Sequence, residues 1–168
     1  MLCYAKPVMK PRVYVETTVP SFYHEVRDEP EMVARREWTR EWWSRAIEDC
    51  ELVTSVPVID ELERGDFPKR EECLRLIAPL PLLAVEPAIL EIVQTYIGRR
   101  VMPQNPVGDA LHLALASHHR CDFLATWNCK HLANANKFAH IRRVNTLLGL
   151  FVPTLVTPLE LLEVDDEN

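Results

Sequence analysis

Val13-Tyr14-Val15-Glu16-Thr17-Thr18-Val19-Pro20-Ser21-Phe22-Tyr23 is the stretch that decides the fold. It opens with β-branched and aromatic residues, the composition of a buried strand. A carboxylate and two hydroxyls follow where that strand should end, and Pro20 keeps the next residues from extending it. A buried first strand that carries Glu16 to its C-terminal tip is the start of an α/β site, because parallel sheets bind ligands beyond the C-terminal ends of their strands. An acid at a strand end is also commonly just a solvated side chain. The reading therefore depends on what the rest of the chain brings to the same point.

Outward from this stretch, strands and helices alternate. Asp28-Glu29-Pro30-Glu31 predicts a helix start, with Asp28 as N-cap and Pro30 in the first turn. The helix runs to about Cys50, with Met32, Val33, Trp42, Trp43, Ala46, Ile47 and Cys50 on one face and Trp38 near its edge. Tryptophans can stack nucleobases, but these follow the apolar stripe and read as packing residues in the core or between subunits. Further strands are predicted over 52–56, 82–85, 122–127 and 155–157. The helices between them are predicted over 58–64, with Gly65 as C-cap, over 68–77, from Pro87 with Leu90 on its core face, over 107–119 and over 137–150. Asn105-Pro106 supplies the cap of the 107–119 helix, and Pro158 starts a last short one. Such alternation calls for a mostly parallel sheet covered on both faces.

The bounds agree. A chain of 168 residues, 48% hydrophobic and 26% charged, suits one domain, 1–168, with its core over about 12–162 and a loose extension over 1–10. No apolar run approaches the ~20 residues of a membrane span, and residues 1–10 do not resemble a secretory signal. Five scattered cysteines without a CxxC fit reduced thiols in a cytoplasmic protein. A net charge of −6 excludes passive, charge-driven wrapping of nucleic acid. An enzyme that brings metal ions to a phosphate substrate remains compatible with it.

The acids fall into an order. Glu16 ends the first strand, Glu61 lies on the helix after the second, Asp109 opens the helix before the fourth, and Asn128 ends the fourth. If strands one and four are neighbours, all four residues converge. Carboxylates gathered without a Lys or Arg repel one another, and hard divalent cations relieve that, Mg²⁺ or Mn²⁺ suiting an all-oxygen set. Two other readings stay open. His118, His119, Cys121, Cys129 and His131 are zinc-ligand types close in sequence, though without a standard spacing. His112, three residues after Asp109, either approaches the site or packs as an ordinary helix histidine. Neither GxGxxG nor GxxxxGK[ST] occurs.

Four passages in order carry a family resemblance: Val13-Tyr14-Val15-Glu16-Thr17-Thr18, Ser55-Val56-Pro57-Val58-Ile59-Asp60-Glu61-Leu62, Gly108-Asp109-Ala110-Leu111-His112-Leu113-Ala114 and Asp122-Phe123-Leu124-Ala125-Thr126-Trp127-Asn128. With these the chain resembles the PIN-domain nucleases, in particular the VapC-like toxins of type II toxin–antitoxin systems. The resemblance implies a three-layer α/β/α domain with a five-stranded parallel sheet of order 3-2-1-4-5. It also implies Mg²⁺- or Mn²⁺-dependent endoribonuclease activity on RNA, a homodimer and a cognate antitoxin, with no membrane. Glu16, Glu61, Asp109 and Asn128 match the family's metal-binding catalytic positions, and Thr17 and Thr126 match supporting hydroxyls. Two residues depart from it: Glu16 stands where the family usually has Asp, and Asn128 where it often has Asp. Those departures motivate an alternative, a catalytically silent metal- or RNA-binding protein on the same fold.

Overall fold

The computed structural model describes residues 9–104 and 107–162. The sequence-based expectations for residues 1–8, for the Asn105-Pro106 cap and for the tail after 162 lie outside the described residues.

Val13, Tyr14 and Val15 are fully buried and form the core of strand β1 (Arg12–Val15). β1 pairs in parallel with β2 (Glu51–Ser55) on one side and β4 (Phe123–Ala125) on the other. β3 (Leu82–Leu83) adds to β2 and β5 (Thr154–Val156) to β4, giving an all-parallel sheet of order β3-β2-β1-β4-β5. The chain thus walks outward from β1 to β3 and returns to β4. Strand order reverses between β1 and β4, the place where open α/β sheets leave a crevice. Register fixes its walls: Val15 lies opposite Ala125, so Glu16 and Thr126 emerge side by side.

Helices cover the sheet: α1 (Thr18–Tyr23), α2 (Pro30–Asp49), α3 (Val56–Arg64), α4 (Arg70–Ile77), α5 (Pro87–Gly98), α6 (Val107–His118) and α7 (Ala135–Leu147). α6 is apolar on nearly all sides, with Ala110, Leu113, Ala114, Leu115 and Ala116 wholly inaccessible, as a central helix must be. A buried polar knot ties it to its neighbours. Tyr96 on α5 donates to Asn145 Oδ1 on α7 at 2.5 Å, Asn145 Nδ2 donates to Ser117 on α6 at 2.9 Å, and Ser117 donates to the Leu113 carbonyl at 2.7 Å. Every member is satisfied, which is what buried polar groups require.

Several local expectations are corrected. α2 takes Glu29, not Asp28, as its N-cap, because Pro30 itself occupies the first helical position. Its stripe is narrower than the pattern implied: Ile47 is 57% exposed, while polar Thr39 is buried because its hydroxyl accepts from Trp127 Nε1 at 2.8 Å. Leu90 on α5 is likewise 56% exposed. Val56 starts α3 and does not end β2. Gly65 ends α3 in an extended, not a left-handed, conformation, and there its missing Cβ leaves room for the Phe67 ring. α7 starts two residues earlier than 137, at an Asn134 cap whose side chain accepts from Asn136 N. Pro158 opens only a hydrogen-bonded turn, with Glu160 closing back onto Thr157.

Candidate functional site

At the C-terminal end of β1, beside the reversal of strand order, an open cleft of about 560 Å³ is lined by Glu16, Thr17, Thr18, Glu61, Asp109 and Asn128, together with Asp60, Arg64, Gly108 and His112. The 390 Å³ groove between α7 and β5 holds no carboxylate, so the cleft is where acid chemistry gathers. Four elements build it: the tip of β1, α3, the first turn of α6 and the loop after β4.

Glu16 is 3% exposed. Burial pushes its pKa up; the nearby His112 and the hydroxyls of Thr126 and Thr18 act in the opposite direction without cancelling that rise. The Thr18 hydroxyl donates to Glu16 Oε1 and accepts from Trp127 N at 2.7 Å, so one threonine ties the β1 tip to the loop after β4. Thr126 Oγ1 also accepts from Asn128 N at 2.9 Å. Both supporting hydroxyls expected from the sequence touch site residues: Thr126 as just described, and Thr17 by donating to Glu61 Oε2.

Glu61 is the most heavily held carboxylate. His112 Nε2 lies 3.1 Å from each of its oxygens. Burial pushes Glu61 up, but the His112 hydrogen bond and charge outweigh it and its pKa falls. Burial disfavours the His112 cation, yet Glu61, Glu16 and Asp109 together raise its pKa. His112 Nδ1 is 2.8 Å from the Tyr14 hydroxyl, which is 2.7 Å from Ser55 Oγ. Burial drives the Tyr14 phenol well upward, so it stays protonated. With both ring nitrogens protonated, His112 donates to Glu61 and to Tyr14, and Tyr14 donates to Ser55; with Nδ1 unprotonated, Tyr14 donates to it and accepts from Ser55. His112 is therefore both a packed helix histidine and part of the site.

Asp109 is 7% exposed and sits in the first turn of α6. Burial raises its pKa. Asn128 Nδ2 donates to its Oδ1 at 2.9 Å, whereas Oδ2 is buried with no hydrogen-bond partner among the described residues. Asn128 is the residue expected to offer a neutral oxygen, directly or through water. Its amide nitrogen faces Asp109, and its oxygen accepts from His131 N at 3.1 Å. The expected absence of basic side chains is also corrected, since Arg64 lines the cleft.

Three features were missed in the sequence. The resemblance marks Thr17 and not Thr18, whose hydroxyl holds Glu16. Tyr14 and Ser55 looked like strand core. Gly108 is the third: a Cβ there would lie 2.3 Å from Glu61 Oε1, so glycine is what lets the α3 carboxylate lie against α6. The readable signal was His112 placed one helical turn from Asp109.

Among the described residues, no group of three or more His, Cys, Asp or Glu closes around a single point. The zinc-type residues are dispersed: His118 contacts Glu86, His119 contacts the Ala84 carbonyl, and Cys121 is buried. By contrast, the carboxylate oxygens of Glu16, Glu61 and Asp109 are the kind of donor a hard cation takes, and Asp109 Oδ2 has no hydrogen-bond partner among the described residues. No helix among the described residues is long and apolar enough to cross a membrane. No family model, no curated protein and no solved structure matches the chain.

Proposed function

We propose that the protein is a Mg²⁺- or Mn²⁺-dependent endoribonuclease of PIN type. The observation that carries the reading is the convergence of Glu16, Glu61 and Asp109 on one cleft, with Asp109 Oδ2 unpartnered. Glu16, Glu61 and Asp109 would hold the cation. When bound, it supplies polarisation of a scissile phosphate and a water of lowered pKa. The chain's own residues do the rest. Thr18 and Thr126 hold the Glu16 carboxylate, and His112 with Thr17 keeps Glu61 ionised and oriented. Asn128 fixes Asp109 through Oδ1, and Oδ2 has no hydrogen-bond partner among the described residues. Arg64 offers a positive charge to an approaching phosphate strand.

Under the same reading the protein is a VapC-like toxin, cytoplasmic and homodimeric, held by a cognate antitoxin. A short neighbouring reading frame with a DNA-binding pattern would support that role. The deciding experiment is cleavage of a single-stranded RNA panel with Mn²⁺, with EDTA, and with Asp109→Asn. Cleavage that requires Mn²⁺ and disappears in the variant is the expected result, and cleavage that survives both changes sinks the proposal. A second reading, a catalytically silent metal- or RNA-binding protein, is favoured by the engaged Asn128 oxygen. Metal binding without cleavage of any RNA would select it.

A further inference from the structure

Beside the acidic cleft lies a second pocket, about 330 Å³ in volume, with Ile97, Arg100, Met102, Gln104, His131 and Lys137 in its lining. His131 joins the two. Its backbone N–H donates to Asn128 Oδ1 on the cleft side, while the residue lines the pocket. His131 also lies close enough to Asp109 to favour its ionised form.

The pocket is positive in a chain of net charge −6. Arg12, Arg27, Arg35 and Arg45 each face a glutamate elsewhere in the chain. Arg100 and Lys137 form no ion pair among the described residues. His131 Nδ1 is buried there without a hydrogen-bond partner among the described residues. Ile97 and Met102 add apolar surface to the same pocket.

Arg100 also occupies a position where an arginine is costly. It follows α5 at φ 56°, and Val101 N donates back to the Tyr96 carbonyl at 2.8 Å, closing the helix in the way that favours glycine. After α7 the equivalent residue is Gly149, at φ 66°. After α6 it is Arg120, whose guanidinium covers the Phe151 ring at 5.4 Å. Arg100 has no such ring contact among the described residues; it lines the pocket.

We propose that this pocket binds one nucleotide of a single-stranded RNA, its phosphate held by Arg100, Lys137 and His131 and its base against Ile97 and Met102, while the acidic cleft acts on an adjacent phosphodiester. The proposal rests on the ribonuclease reading of the cleft. It explains how an acidic protein retains an RNA strand next to three carboxylates: a local cationic pocket supplies the attraction that the total charge does not.

The test is Arg100→Gly combined with Lys137→Gln. Glycine suits the left-handed backbone, so Arg100→Gly keeps or raises the thermal midpoint while removing the guanidinium. Binding of short labelled single-stranded RNA is followed by fluorescence anisotropy in EDTA across a salt series, with inorganic phosphate as competitor. The double variant should bind RNA roughly tenfold more weakly, and the slope of log K against log salt should fall by about 0.7 for each cation lost. Unchanged affinity and slope in a folded double variant overturn the pocket and leave the nuclease reading standing. Weakened binding in a protein that never cleaves supports the pocket and overturns the nuclease reading. A wild type that binds inorganic phosphate but no RNA overturns the nucleotide assignment.

Discussion

His112 Nε2 stands 3.1 Å from both carboxylate oxygens of Glu61, although the two residues are 51 positions apart in sequence. His112 is 2% exposed and is fixed from behind by Tyr14, so the α3 carboxylate is oriented from the middle of the sheet rather than from the surface. Loss of the imidazole would free Glu61 to rotate and would leave the Tyr14 hydroxyl with Ser55 alone of these two partners.

Stability should accordingly depend on pH through this pair. The folded pKa of His112 is raised. Its contribution is fully present below the unfolded value of about 6.5 and fades as pH rises through the folded value. The folded pKa of Glu61 is lowered. Its contribution is present above about 4.3 and fades as pH falls through the folded value. His112→Gln should therefore cost about 2 kcal/mol near pH 6, as for a hydrogen bond to a charged group, and progressively less as pH rises through the folded value. Urea unfolding across this pH range checks it, and a pH-independent loss would contradict it.

Trp43 faces the core beside Tyr23 and Trp42, with ring centroids 6.1 Å away in each case. Trp43→Ala should cost roughly 3–5 kcal/mol without weakening RNA binding in whatever fraction stays folded. If instead the midpoint held and RNA affinity dropped, base stacking would be the better account.

Much of this site was legible before the fold was known. Val13-Tyr14-Val15 reads as buried strand because β-branched and aromatic residues say so, and Glu16 must then sit at its tip. The spacing of Asp109 in a helix's first turn was equally plain. The sheet order came from the family resemblance, since periodicity cannot rank strands. Side-chain partners were the opaque part. Thr39 is polar yet buried because Trp127, 88 residues away, donates to it. Ile47 and Leu90 continue apolar stripes yet face outward, because a helix buries only the arc its neighbours cover. The amide of Asn128 follows its local hydrogen bonds to Asp109 and His131, and nothing in its residue type fixes which way it points.

Gly108→Ala separates the site from the fold. Alanine gains roughly 1 kcal/mol of helix propensity over glycine, but its Cβ would lie 2.3 Å from Glu61 Oε1. The carboxylate must move, since the helix backbone cannot. The thermal midpoint should change little while Mn²⁺-dependent cleavage falls at least roughly tenfold, which corresponds to about 1.4 kcal/mol. Full activity in this variant would show that Glu61 need not lie against α6.

Glu16 and Asp109 share the opposite electrostatic situation to Glu61. Burial raises the pKa of both, so the folded chain binds their protons more tightly than the unfolded chain. Each therefore subtracts stability as pH climbs above its unfolded value when no cation is present. Glu16→Gln and Asp109→Asn keep the oxygens that accept from Thr18 and from Asn128. In EDTA each should raise stability by roughly 0.5–2 kcal/mol, the usual gain from relieving a strained functional site. Mn²⁺ reverses the comparison: at a hundredfold excess over its Kd it should stabilise the wild type by about 2.7 kcal/mol and Asp109→Asn far less. Thermal unfolding with and without Mn²⁺ measures both effects. Equal Mn²⁺ stabilisation of wild type and Asp109→Asn would place the cation outside the cleft. A less stable Asp109→Asn in EDTA would show that the carboxylate is part of the scaffold and is not held under strain for a ligand.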